Sequence, residues 1–131
     1  MIKAAVFSDT HGNTFPMLEA ARTANADVLI HLGDHDRDAQ LLRKALPDTP
    51  LYSVCGNCDY APLSPSTMTV QLGPVKAFLT HGHLYNVSPG SPCRLQHRKI
   101  VAVGVGKNRR FDHFRASRQH CVSLCIHYNA D

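Results

Sequence analysis

Asp, His and Asn recur at four places in the first ninety residues, each time directly after a short apolar run. Residues 2–7 lead into Ser8-Asp9-Thr10-His11-Gly12-Asn13, and residues 28–32 into Gly33-Asp34. Residues 51–55 lead into Gly56-Asn57-Cys58-Asp59, and residues 75–79 into Thr80-His81-Gly82-His83. In an extended stretch, residues two apart point to the same side, so Asp9 and His11 could hold one metal together. The two oxygens of Asp34 could bridge two cations. The Asn57 amide oxygen is a neutral donor, and His81 and His83 put two imidazoles at one strand end. Oxygen and imidazole donors without a required thiolate suit divalent metal ions.

Each signal also has an ordinary reading. Asp9 could cap a helix, and Gly33-Asp34 could be a simple turn. Asp36 and Asp38 read as solvated or as favourable charges at a helix start. His31 reads as a packed or rim histidine within its strand, and His35 could reach the site without anything forcing it. Cys55-x-x-Cys58 has zinc-knuckle or redox spacing. A zinc site would need a second pair, and only Cys121 and Cys125 offer one. Redox motifs of this kind open helices, whereas this one closes a strand.

Short apolar runs bounded by Gly and polar residues read as buried strands. Helices fit between them at about residues 14–23 and 36–46. The first is started by Asn13 or Thr14 with Pro16 in its first turn and has Leu18, Ala21 and Met17 on an apolar face. The second has Leu41, Leu42 and Ala45 inward and Pro47 beyond its end. The order β-α-β-α-β predicts a parallel sheet, whose ligands gather beyond the carboxyl ends of its strands. The pattern then changes to a hairpin, 67–72 and 75–79 around Gly73-Pro74. Residues 100–105 form one more candidate strand and 121–126 a weaker one.

The chain of 131 residues is long enough for one domain with a substantial core, and its hydrophobic fraction of 44% is ordinary. No apolar stretch is long enough for a membrane span, and the N-terminus makes a poor signal peptide. A cytoplasmic location is expected, with five reduced Cys. Charge divides the chain. Residues 1–90 hold six Lys/Arg against eight Asp/Glu, whereas residues 91–131 hold eight against two. All eight prolines lie at or before Pro92. The expected organisation is a core over 1–92 and an atypical, poorly defined basic segment over 93–131 of the same domain.

Taken in order, Asp9-x-His11, Gly33-Asp34, Gly56-Asn57-Cys58-Asp59 and Thr80-His81-Gly82-His83 resemble the calcineurin-like metallophosphoesterase superfamily, in its small bacterial and archaeal phosphodiesterase branch. The resemblance covers about residues 1–90. It implies an α/β fold, a four-layer αββα sandwich whose second sheet is incomplete here. It implies two divalent metal ions, manganese first, with zinc, iron or nickel as alternatives. Asp9, His11 and Asp34 would hold one and Asp34, Asn57 and His81 the other, with Asp34, Asn57 and His81 as the catalytic set. Cys58 and His83 would face substrate. The implied activity is hydrolysis of a small phosphodiester by metal-activated water, with no membrane partner. The alternative is a catalytically weak scaffold of the same fold that binds a protein partner.

One family motif, Gly-His-x-His after His81, does not occur in this sequence. Together with the charge break, this is what a shifted reading frame or altered end after about residue 90 would produce. A natural degenerate member, or a tail that supplies ligands from isolated histidines, would account for it as well. Lys107, Arg109, Arg110, Arg115 and Arg118 beside Phe111 and Phe114 leave a weaker nucleic-acid reading open.

Overall fold

The computed structural model describes residues 2–85 and two further strands, 101–104 and 124–127. Strand β1 (Lys3–Phe7) is followed by helix α1 (Thr14–Ala24), β2 (Val28–His31), α2 (Asp36–Ala45) and β3 (Leu51–Ser53). A hairpin of β4 (Thr67–Leu72) and β5 (Val75–Thr80) comes next. A short 3-10 turn over His83–Tyr85 follows, then β6 (Val101–Gly104) and β7 (Leu124–His127).

Two sheets result, one ordered β3-β2-β1-β7 and the other β4-β5-β6. β1, β2 and β3 are parallel, so their carboxyl ends lie side by side. β7 adds antiparallel to β1, and β6 antiparallel to β5. Both weak strand signals in the basic segment therefore correspond to strands, one in each sheet. The remainder of the expected segment 93–131, with its basic cluster, lies outside the described residues.

Alternation along β1 and β2 builds two cores. Ala4, Val6, Val28 and Ile30 point to one side and pack with Val70, Ala77 and Leu79 of the second sheet. Ala5, Phe7 and Leu29 point to the other and pack with Met17, Ala21 and Leu42 of the helices. The strands thus bury both faces, which explains their nearly continuous apolar runs. Helix pair, four-stranded sheet and three-stranded sheet make three layers of an α/β sandwich. The outer helical layer of a four-layer sandwich is not among the described residues. No helix among them is long and apolar enough to cross a membrane.

Three local expectations need correction. Asn13 stands at the start of α1, but its side chain makes no capping hydrogen bond. Leu41, expected inward, is 42% exposed, because Ala39 and Leu42 define the buried stripe of α2. Asp36 and Asp38 stand in the first turn of α2, one of the two places expected of them, but they are buried rather than solvated. Burying a carboxylate is costly unless hydrogen bonds compensate, and both have them. Asp36 accepts from the Leu63 and Ser64 amides and the Ser64 hydroxyl. Asp38 accepts from the Gly12 amide at 2.9 Å and pairs with His35 Nδ1 at 2.7 Å.

Leu42 is fully buried where α2 meets both α1 and the sheet. Leu42→Ala is expected to lower the unfolding free energy by about 2–5 kcal/mol through lost burial and the cavity left behind. Urea denaturation of the two chains measures this.

Candidate metal centre

Three loops leave the parallel sheet at its carboxyl edge, and a fourth leaves β5 beside them. Their backbones are unusually tight. Six non-glycine residues among those described have positive φ, and four of them are Asp9, His11, Asp34 and His35. Asp, Asn and His tolerate this region better than most, yet each such residue needs outside support. Asp9 has its amide hydrogen-bonded to the Gly33 carbonyl at 2.9 Å. Gly33 and Gly56 let the β2 and β3 loops touch. A Cβ on Gly33 would collide with the Gly56 backbone, and one on Gly56 would run into the Asp34 carboxylate.

This packing brings the predicted residues together. Donor atoms of Asp9, Asp34 and His81 all lie within 4.8 Å of one another. His11 Nε2 is 3.7 Å from Asp34 Oδ2 and 4.0 Å from Asp9 Oδ1. His81 Nε2 is 3.2 Å from Asp34 Oδ1 and 3.0 Å from Asn57 Oδ1. Asp34 therefore stands between an Asp9/His11 side and an Asn57/His81 side, as its two oxygens require of a bridge.

The tautomer of His81 makes the donor set informative. Its Nδ1 lies 2.7 Å from the Leu32 carbonyl, which can only accept, so Nδ1 carries the proton. In the neutral ring Nε2 then presents a lone pair towards two oxygen acceptors. Either a proton on Nε2 or a bound cation satisfies the Asp34 and Asn57 oxygens that face it. A backbone carbonyl on the far ring nitrogen is the usual way to fix a ligating imidazole. The arrangement fits a divalent ion held by Asp34, Asn57 and His81.

The other candidates are placed less centrally. His83 stacks edge-on to His81 with centroids 5.5 Å apart, and its buried Nδ1 has no hydrogen-bond partner among the described residues. The exposed Cys58 gives its amide to Asp34 Oδ1 at 3.1 Å, while its Sγ accepts from Asn57 Nδ2 at 3.2 Å. That contact turns the Asn57 oxygen towards His81. Cys55 is buried below, and burial pushes its thiol pKa up. His35 turns to Asp38 and is not one of the converging donors. His31 is the packed histidine its strand position suggests. Its Nδ1 accepts from the Gly33 amide and its Nε2 bonds Thr10, so it holds two of the loops.

Asp59, to which the sequence alone assigns no role, accepts four backbone amides.

The residues 2–109 match the model of the calcineurin-like phosphoesterase superfamily domain. This chain belongs to that superfamily. It is 35% identical over 83 residues to the "Probable metallophosphoesterase MG207" of Mycoplasma genitalium, covering 63% of this chain and 47% of that protein. It is 32% identical over 84 residues to the "Probable metallophosphoesterase YsnB" of Bacillus subtilis, again 63% and 47%. A crystal structure of a conserved uncharacterized protein of Streptococcus pneumoniae, described as a predicted phosphoesterase, superposes with a TM-score of 0.54. It shares 28% identity over 66% of this chain and 48% of its own. The chain thus spans about half the length of the curated relatives it matches. The family implies divalent metal ions, and the converging donors fit them.

A buried histidine and a half-buried aspartate make this region sensitive to acid. Burial lowers the pKa of His31, against the raising influence of Asp38, Asp36, Asp59 and Asp9. Unfolding therefore takes up a proton, and stability is lost as pH falls below the ordinary 6.5. For Asp59, burial raises the pKa, but bonds from the Gly56, Asp36, His35 and Asp34 amides outweigh it and leave the carboxyl below 3.8. Its stabilisation is present above 3.8 and is lost as pH falls through the folded value. In chelator, the melting temperature is expected to start falling below about pH 6.5 and to fall further below about pH 4. His31→Gln, which cannot titrate, removes its share of the first decline.

Proposed function

We propose that this chain carries a metal-dependent phosphoesterase centre that hydrolyses small phosphodiesters. Asp9, His11 and Asp34 would hold one cation and Asp34, Asn57 and His81 a second, with Asp34 common to both. The observation that carries the reading is the convergence of His81 Nε2, Asp34 Oδ1 and Asn57 Oδ1 around a ring whose proton is committed elsewhere. Manganese is the first choice because carboxylate, amide and imidazole donors suit it; zinc, iron and nickel fit the same set.

Bound divalent ions would supply an activated water and neutralise charge on the phosphoryl oxygens. The protein's part is to fix the donors. Leu32 orients His81, Cys58 orients Asn57, and the Cys58 amide steadies Asp34. Cys58 and His83 would face substrate. A thiol donates a proton less readily than an imidazolium, so Cys58 is a weak acid for the leaving group. Aryl phosphodiesters, whose leaving groups need little protonation, are the expected good substrates.

The donor count within this chain favours a second reading, a weakly catalytic scaffold for a protein partner. Among the described residues each proposed cation site has three ligands, and the sequence contains no Gly-His-x-His. Metal content and turnover on one sample separate the two readings.

Adding Mn²⁺ is expected to raise hydrolysis of an aryl phosphodiester, chelator to remove it, and Asp34→Asn to abolish it. Turnover that survives both chelation and Asp34→Asn would overturn the enzymatic reading. Stoichiometric metal without turnover would favour the scaffold.

A further inference from the structure

We propose that Asp59 is the positioning residue that assembles the centre before any metal arrives. The proposal rests on the metal-centre reading above and concerns what holds its donors in place. Asp34 and His35 both have positive φ, at 61° and 81°. Successive backbone amides of a turn can converge on a concave site for an anion. Here the anion is the chain's own. Asp59 Oδ2 accepts from the Asp34 amide at 3.1 Å, and Oδ1 from the His35 and Asp36 amides at 2.8 and 2.7 Å.

The fourth bond joins the two ligand loops. Asp59 Oδ2 also accepts from the Gly56 amide at 2.7 Å. One carboxylate thus grips the turn of Asp34 and the turn that presents Asn57. Asp36 returns the contact from the start of α2, accepting the Leu63 and Ser64 amides. The two aspartates form a reciprocal clasp between the β2–α2 turn and the long loop after β3. Without it, the left-handed backbone at Asp34 and His35 would lose its principal hydrogen-bonding partner and could relax.

The chemistry separates charge and acceptor number from shape. Asn at position 59 has the size of Asp but only one acceptor oxygen. Either orientation of its amide leaves two of the four amides facing an NH2 group. Glu keeps both oxygens and the charge on a longer stem.

The test compares the full-length wild type with Asp59→Asn, Asp59→Glu and Leu42→Ala. Leu42→Ala loosens α2 from the core without touching the clasp. Amide hydrogen exchange in chelator is expected to speed at least tenfold for Asp34, His35, Asp36 and Gly56 in Asp59→Asn, relative to the rest of the sheet. Leu42→Ala should raise exchange without singling out those four. Mn²⁺ affinity, by titration calorimetry, is expected to fall roughly 10–100-fold in Asp59→Asn, to recover in part in Asp59→Glu, and to hold in folded Leu42→Ala. Wild-type protection of the four amides in Asp59→Asn would overturn the proposal. So would an exchange pattern in Leu42→Ala that matches it, or unchanged Mn²⁺ affinity in Asp59→Asn. If the wild type binds no Mn²⁺, the metal-centre reading fails, and the selective amide effect alone decides the clasp.

Discussion

His81 donates its Nδ1 proton to the Leu32 carbonyl, which turns its other ring nitrogen towards Asp34 and Asn57. A buried imidazole among oxygen acceptors is unfavourable unless something positive lies between them. The fold around it has the form that this demand requires. Leu32 lies at the end of β2, Asp34 two residues further on, Asn57 beyond β3 and His81 beyond β5. Only a parallel β1-β2-β3 edge, with the hairpin laid across its face, brings these strand ends to one place.

The supporting bonds run mostly between loops. Asp59 joins the β2 and β3 loops, His31 joins those of β1 and β2, and Asp38 ties Gly12 to the start of α2. His31 and Asp38 are buried and Asp59 half-buried, polar groups that a stability argument alone would not retain. Each is satisfied, which makes the cluster specific rather than merely tolerable. Non-glycine residues at positive φ cost roughly 1–3 kcal/mol each, and Asp34 and His35 are held there by Asp59. The strain and the site coincide because the loops must turn sharply to point carboxylate and imidazole inward.

The sandwich divides its work. The helix pair and the second sheet each cover one face of the parallel sheet and supply the apolar cores. The carboxyl edge is left for chemistry. The strand-end donors lie within the residues that match the family, and the structure brings them together at that edge.

The sequence by itself determined the strands, the two helices, the hairpin and the residues at the strand ends. Those features follow from local periodicity: continuous apolar runs for strands buried on both faces, and Gly or Pro at the turns. It also marked Asp9, His11, Asp34, Asn57 and His81, because donor types placed directly after strands are readable without coordinates. Tertiary structure decided which atoms face which. Asp36 and Asp38 look like solvent-facing helix starters until the loops that bond them are packed in place. Asp59 looks like the tail of a motif until four amides from two distant turns meet it. Leu41 and Leu42 are indistinguishable as residue types, and only the docking angle of α2 buries one and exposes the other. Hydrogen bonds between loops depend on partners more than twenty residues away, and no local pattern encodes that distance.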